Sequence, residues 1–127
     1  MKKVITTNNA PAALGPYSQG IMTEDLVFTS GQIPINPVDK SFANDDIASA
    51  TKQVLENVKG VLNEAGVDMK NVVKTTVLLA NMDDFVAMNE VYATYFKENP
   101  PARSCFQVAK LPMGALVEIE AIAVKNS

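Results

Sequence analysis

The sequence contains no histidine and a single cysteine, Cys105. Without histidine, Ser-His-Asp and Cys-His catalytic groups are impossible. The zinc site of the nucleobase deaminases is also impossible, because it needs His with two Cys ligands or three Cys ligands. Proton transfer near neutral pH must therefore use a carboxylate, Lys, Tyr, the thiol or bound water. One cysteine cannot form an internal disulfide, which favours a reducing compartment.

Long apolar runs and an excess of positive charge are missing as well. The first nine residues lack the apolar stretch of a signal peptide, and no segment approaches the length of a membrane span. We therefore expect a cytoplasmic protein with no membrane partner. The net charge is −3, so no overall positive field would attract nucleic acid, and none is expected as a partner. Gly15 and Gly20 are spaced as at the start of a phosphate loop, but Ile21-Met22 follows where Lys-Ser/Thr is needed.

The chain has 127 residues, 47% hydrophobic and 20% charged, which predicts one soluble domain over residues 1–127. Residues 4–6 form a plausible strand, and residues 21–22 and 26–30 resemble a hairpin. Apolar spacing predicts a helix capped by Asp45 or Asp46 and ending near Ala65. Residues 72–80 are strand-like. A second helix is predicted from Asn81 up to Pro100, and residues 101–124 form two more strands.

This order predicts an α+β fold, with two helices on one face of a mixed sheet. Two helices can cover only one face of a sheet. The last strand is nevertheless apolar on both sides, with Val117 and Ile119 on one and Ile122 and Val124 on the other. Another subunit is the simplest cover for the second face, so we expect an obligate oligomer.

The last two predicted strands carry ionisable groups within apolar stretches. Side chains alternate along a strand, so Arg103 and Cys105 share one face, as do Glu118 and Glu120. A symmetric hairpin around residues 109–114 would oppose Cys105 to Glu118. The same register would oppose Arg103 to Glu120 and gather all four groups in one patch, whereas a slip of one residue would separate them. A structural Arg–Glu ion pair is the alternative interpretation.

Arg103 suits recognition of a planar anion, since its guanidinium holds a carboxylate through two parallel hydrogen bonds. Glu118 lies between apolar neighbours, and partial desolvation there would let it carry a proton near neutral pH. Cys105 is expected to be a small core residue rather than a nucleophile, because no histidine activates it.

Three further positions are candidates for ligand contact. Tyr17 follows a stiff Gly-Pro turn and could hydrogen-bond a ligand or simply pack its loop. Ser30 and Gly31 end a strand, where a missing Cβ lets a ligand approach backbone N–H groups; a plain turn is the alternative. Asn89 lies one position off the apolar stripe of the second helix, as a boundary residue or a pocket amide.

These residues lie in motifs that resemble the YjgF/RidA family, the 2-iminobutanoate/2-iminopropanoate deaminases. The resemblance covers residues 10–20, 30–37, 89–92 and 101–105, and continues through residues 111–112 and 117–120. Four ordered motifs along nearly the whole chain are a specific signal. The resemblance implies a chorismate-mutase-like fold assembled as a homotrimer, with three clefts between subunits. That assembly agrees with the uncovered sheet face.

The activity implied by the resemblance is hydrolysis of reactive enamines and imines to 2-oxo acids and ammonia, without a cofactor or metal. By position, Arg103 would bind the substrate carboxylate and Glu118 would activate water. The substrate-binding residues would be Arg103 together with Tyr17, Ser30, Gly31, Asn89 and Cys105.

Two alternatives stay open at this point. The same clefts could hold small 2-oxo or amino acids as a sensor without turnover. RNA cleavage is attributed to some family members, but this acidic chain has no basic stripe with interleaved aromatic residues.

Overall fold

The computed structural model of the chain describes residues 1–125. Within them, three strands precede the first of two α-helices, one strand separates the helices, and two strands follow the second helix. They are β1 (Lys3–Ile5), β2 (Gly20–Met22), β3 (Leu26–Thr29), α1 (Ile47–Glu64), β4 (Val72–Leu79), α2 (Phe85–Tyr95), β5 (Ala102–Gln107) and β6 (Val117–Val124). Neither helix in this part of the chain is long and apolar enough to cross a membrane.

The first helix forms where the apolar spacing predicts it. Asp46 caps α1, accepting a hydrogen bond from the backbone N–H of Ser49 at 2.7 Å, which satisfies one of the otherwise unpaired donors of the first turn. The apolar positions face inward at helical spacing, and Val54, Val58 and Val61 are fully buried. The predicted span is confirmed.

The second helix is shorter than predicted. The Asn81 side chain caps a 3₁₀ turn, accepting from the Asp83 N–H at 2.9 Å, and α2 follows at Phe85. The helix ends at Tyr95, because Phe96 leaves the helical region with φ −130° and ψ 63°. That change of direction buries Phe96 against Tyr92, with ring centroids 4.6 Å apart.

The six strands form one mixed sheet in the order β1-β2-β3-β6-β4-β5. β4 and β5 are parallel, and every other pair is antiparallel. The predicted hairpin of β5 and β6 is therefore wrong: β4 lies between these strands. The reason is the connection through α2, which returns the chain parallel to β4 on its outer side and leaves the central position to β6.

Both helices lie on one face of the sheet, as predicted, and the fold is α+β. α1 packs on β6, β3 and α2, over a row of buried side chains that includes Val27, Val77 and Ile119. The opposite face carries side chains that are half-buried or exposed, among them Phe28, Leu78, Phe106 and Ile122. In the single chain this second face is uncovered, and we call it the open face.

Candidate active site

The strand order puts the two candidate charged groups on opposite faces of the sheet. Arg103 is aligned with Thr75 and Cys105 with Val77, so both side chains belong to the helix-side face. Glu118 is aligned with Leu78 on the open face. The single shared patch expected from the hairpin register is therefore wrong within one chain. The candidate residues form two separate groups instead.

The first group, the arginine half-site, consists of Arg103 and three residues of α2: Phe85, Asn89 and Tyr92. Arg103 Nη1 donates to Asn89 Oδ1 at 2.7 Å. Its guanidinium carbon lies 4.9 Å from the centre of the Tyr92 ring and 5.5 Å from that of Phe85. At these distances each ring face attracts the cation. The α2 residues share one side of the helix because of their spacing, so one helix face holds the guanidinium.

The Tyr92 ring is itself held in place by a contact with the sheet. Its hydroxyl lies 2.7 Å from Thr75 Oγ1 in the buried core, and Thr75 is 1% exposed. A guanidinium has five N–H donors in a planar fork. Among residues 1–125, the hydrogen bond from Arg103 to Asn89 occupies only one of its nitrogens. The remaining edge suits a planar anion such as a carboxylate.

Cys105 lies two residues further along β5 and is half-buried. Burial raises the pKa of its thiol, and the nearby Arg103 guanidinium lowers it by a smaller amount. A thiol with a raised pKa is mostly protonated at neutral pH and is a poor nucleophile. This favours the interpretation of Cys105 as a packing residue that borders the arginine half-site.

The second group, the glutamate half-site, surrounds a cavity of about 640 Å³ on the open face. Its walls bring together four of the predicted residues: Tyr17, Ser30, Gly31 and Glu118. The other lining residues are Leu14, Thr29, Ile33, Pro112 and Glu120. Tyr17 is 52% exposed at the mouth, on a turn in which its N–H donates to the Gly15 carbonyl at 2.9 Å.

Glu118 is the titratable group of this cavity whose environment favours the protonated form. Burial raises the pKa of its carboxyl above the usual range, and the Glu120 carboxylate nearby raises it further. This confirms the expectation that apolar neighbours would partly desolvate Glu118. A carboxyl with a raised pKa can both accept and return a proton near neutral pH.

Gly31 lies directly against that carboxyl. A Cβ atom at this position would stand 2.9 Å from Glu118 Cδ and would overlap Oε2. Only glycine leaves room for the carboxyl in its present place. The neighbouring backbone is held by Ser30, whose N–H donates to the Gln19 carbonyl at 2.9 Å and whose hydroxyl donates to the Ser18 carbonyl.

Sequence reasoning missed Gln19, a buried amide that organises the loop before β2. Its Nε2 donates to the carbonyls of Thr7, Ala10 and Pro11, and its Oε1 accepts from the Thr7 N–H at 2.7 Å. A glutamine among loop residues gives no periodic signal. Phe85 and Tyr92 belong to the apolar stripe of the second helix, and that pattern predicts burial rather than contact with a cation. Two aromatic residues seven apart, with an amide between them, could have indicated a cation site.

The remaining predicted residue, Asn89, lies beside Arg103: its side-chain carbonyl oxygen accepts from Arg103, and its contact with a ligand stays a prediction. Arg103 and Asn89 thus belong to the arginine half-site, and Cys105 borders it. Among residues 1–125, no group of three or more His, Cys, Asp or Glu residues is placed to hold a metal ion.

Comparisons with known proteins agree with the motifs. The family model described as endoribonuclease L-PSP matches residues 7–125. A RutC family protein of Pyrococcus horikoshii is 51% identical over 126 residues, covering 99% of this chain and 100% of that protein. The 2-iminobutanoate/2-iminopropanoate deaminase of Mus musculus is 49% identical over 126 residues, with 99% and 93% covered. The crystal structure of Escherichia coli TdcF with bound serine matches with a TM-score of 0.93 at 43% identity, with 97% and 98% covered.

Proposed function

The chain belongs to the endoribonuclease L-PSP family, also called the YjgF/RidA family, and we propose that it hydrolyses 2-imino acids and their enamine tautomers to 2-oxo acids and ammonia. Relatives at 49% and 46% identity, from mouse and human, are named 2-iminobutanoate/2-iminopropanoate deaminases. The TdcF structure contains serine, a small amino acid with one carboxylate. Both support a small substrate that carries a carboxylate.

One observation carries the proposal: the two half-sites have complementary chemistry but lie on opposite faces of one sheet. The arginine half-site offers an oriented guanidinium without a proton-transfer group of suitable pKa. The glutamate half-site offers a carboxyl with a raised pKa and a cavity, but no cationic side chain of residues 1–125 lines that cavity. Neither is sufficient alone. We infer that the arginine half-site of one copy completes the glutamate half-site of another.

The open face supports such an assembly. Phe28 and Phe106 on this face are 37% and 50% exposed, and β5, which carries Arg103, is one of the two edge strands of the sheet. An apolar sheet face of this kind is usually covered by a partner. A ring of three copies, each pairing its open face with the β5 edge of the next, would make three equivalent sites.

In the completed site the reaction needs positioning and one proton carrier. Arg103 would hold the substrate carboxylate and orient the imine carbon toward a water molecule beside Glu118. Glu118 would accept a proton as the water oxygen bonds to that carbon and the C=N bond becomes a single bond. It would return that proton to the nitrogen, which gives a carbinolamine. Glu118 would then take the proton of the new hydroxyl group and pass it to the amino nitrogen as the C–N bond breaks, the C=O bond forms and ammonia leaves.

The test couples a threonine dehydratase to this protein and measures the appearance of 2-oxobutanoate. Arg103→Ala is expected to slow the reaction roughly 10- to 100-fold, as the loss of a charge-assisted bond of about 1.5–3 kcal/mol would. Glu118→Gln should abolish the acceleration while keeping affinity for 2-oxo acids. Glu90→Gln, an exposed carboxylate on α2, is the matched control and should behave as wild type.

A sensor that binds small carboxylates without turnover is the second candidate, favoured by the serine in TdcF. The same experiment separates the two. If wild type binds 2-oxobutanoate but does not accelerate its formation, and Glu118→Gln changes nothing, the sensor is right and the deaminase is wrong.

A further inference from the structure

A second cavity adjoins that of the glutamate half-site. It has a volume of about 250 Å³ and shares Leu14, Tyr17, Gly31, Ile33 and Pro112 with the larger cavity. Its own walls are formed by Pro11, Ala12, Ile35 and Met113. We call it the side chamber. The two cavities share five wall residues, so the side chamber lies next to the space beside Glu118.

The side chamber is apolar where it faces its contents. No charged side chain lines it among the described residues, and the polar side chains in its wall are Gln19, Gln32 and Tyr17. Both glutamines are buried; the amide nitrogen of Gln19 donates to three backbone carbonyls, and that of Gln32 donates to the Ser30 carbonyl at 3.4 Å. What the chamber offers is therefore mainly apolar surface, and a ligand group there gains affinity by leaving water.

The walls are held in place before any ligand binds. Asn57, which is fully buried, donates from Nδ2 to the carbonyl oxygens of Ile33 at 3.1 Å and Ile35 at 2.9 Å. On the opposite side, the turn containing Met113 is tied down by Asn44, whose Nδ2 donates to the Gly114 carbonyl at 3.0 Å. A preformed apolar pocket binds without a large ordering cost.

We propose that the side chamber receives the aliphatic side chain of the substrate, so that the protein favours imino acids with side chains longer than ethyl. The inference rests on the proposed function, because the imine carbon is placed beside Glu118. A volume of 250 Å³ exceeds what one methyl or ethyl group fills. Met113, 67% exposed at the chamber wall, has the flexible side chain that adapts to chains of different shape.

The experiment measures equilibrium binding of the stable 2-oxo acid products by titration calorimetry on the assembled wild-type protein. The series runs from 2-oxopropanoate to 2-oxohexanoate and includes 4-methyl-2-oxopentanoate. Each added methylene is expected to tighten binding about fourfold until the chamber is full. A series with equal affinities, or one that weakens beyond 2-oxobutanoate, overturns the proposal.

Two variants test whether the dependence on chain length arises in the side chamber, and a third variant is the control. Ala12→Phe places a large side chain at an exposed wall position and should remove the gain for long acids while leaving the affinity for 2-oxopropanoate unchanged. Ala93→Phe, at an exposed alanine of α2 outside both cavities, is the control and should bind the whole series as wild type does. Ile35→Ala should widen the chamber and move the optimum to longer chains. If both chamber variants bind the series as wild type does, the assignment is wrong.

Binding and turnover together separate this inference from the proposed function. Affinity that rises with chain length, without any imine hydrolysis, would keep the chamber as a binding site and reject the deaminase. Hydrolysis of 2-iminopropanoate with a flat binding series would keep the deaminase and reject the chamber.

Discussion

At the scale of single residues, the orientation of Arg103 is set by contacts from one helix. Arg103 lies on the edge strand β5, where a long flexible cationic side chain would ordinarily sample many rotamers. Asn89 fixes one edge of the guanidinium, and the rings of Tyr92 and Phe85 flank it. These contacts reduce the entropy lost when a carboxylate binds to the remaining edge. Asn89 is therefore a positioning residue.

We predict that Asn89→Ala raises KM for the imine while changing kcat much less. Arg103 holds the carboxylate in the ground state and the transition state alike, so weaker positioning removes uniform binding. Loss of one hydrogen bond of about 1 kcal/mol corresponds to a roughly fivefold increase in KM. Steady-state kinetics give the split, and thermal unfolding monitors the fold. Glu90→Ala, at the next position on α2, should leave KM unchanged. If Asn89→Ala also has the wild-type KM, Asn89 does not position Arg103.

Residue chemistry was predictable where it depends on neighbours in sequence. The apolar residues on either side of Glu118 indicated desolvation, and burial does raise the pKa of its carboxyl. The partner of Asn89 was not predictable in the same way. Its contact with Arg103 requires α2 to lie over β5, and that placement depends on which strands pair.

At the scale of elements, the erroneous hairpin shows what an alternating pattern leaves undetermined. Two successive strands give the same apolar spacing whether they pair or are separated by a third strand. The composition of the two strands nevertheless indicated their positions in the sheet. β6 is apolar on both faces and thus suits a central position, whereas β5 carries Arg103 and Ser104 and suits an edge. Both helices and the β2–β3 hairpin were predictable because their signals are local.

The loop that follows β3 provides an element-scale prediction. It runs alongside β6, where Gln32 and Ile119 exchange backbone hydrogen bonds of 2.9 and 3.2 Å, and this pairing brings Gly31 against the Glu118 carboxyl. Gly31→Ala should reduce turnover about tenfold or more, since displacing a catalytic carboxylate forfeits much of the 10²- to 10⁴-fold effect of acid–base catalysis. The melting temperature should change little, because the added methyl meets the flexible end of a side chain.

The double variant Gly31→Ala/Glu118→Gln tests whether Gly31 affects turnover through the Glu118 carboxyl. If glycine matters only by leaving room for the carboxyl, the double variant will be no slower than Glu118→Gln alone, the non-additivity expected of coupled groups. A further loss of rate in the double variant, or a large fall in the melting temperature of Gly31→Ala, would assign the glycine a different role.

At the scale of the whole molecule, the uncovered sheet face was predictable from the count of helices and the two-sided apolar pattern of β6. The placement of Arg103 and Glu118 on opposite faces of the sheet was not predictable. Side chains on opposite faces of one sheet cannot meet in one chain, so Arg103 and Glu118 can act on one substrate only if different copies supply them. That constraint appears only when strand order is known.

Complementation between inactive variants tests this distribution directly. Arg103→Ala and Glu118→Gln chains, unfolded together in equal amounts and refolded, would assemble at random into mixed trimers. A site is complete when its arginine comes from a Glu118→Gln copy and its glutamate from an Arg103→Ala copy, so about one site in four regains both groups in a ring of three heterologous interfaces. The mixture should recover roughly a quarter of wild-type turnover, although each variant alone is slow. Native mass spectrometry would verify that the two chains mix. If the mixed assemblies turn over no faster than the average of the two separate variants, Arg103 and Glu118 act from the same copy, or one of them takes no part in the reaction.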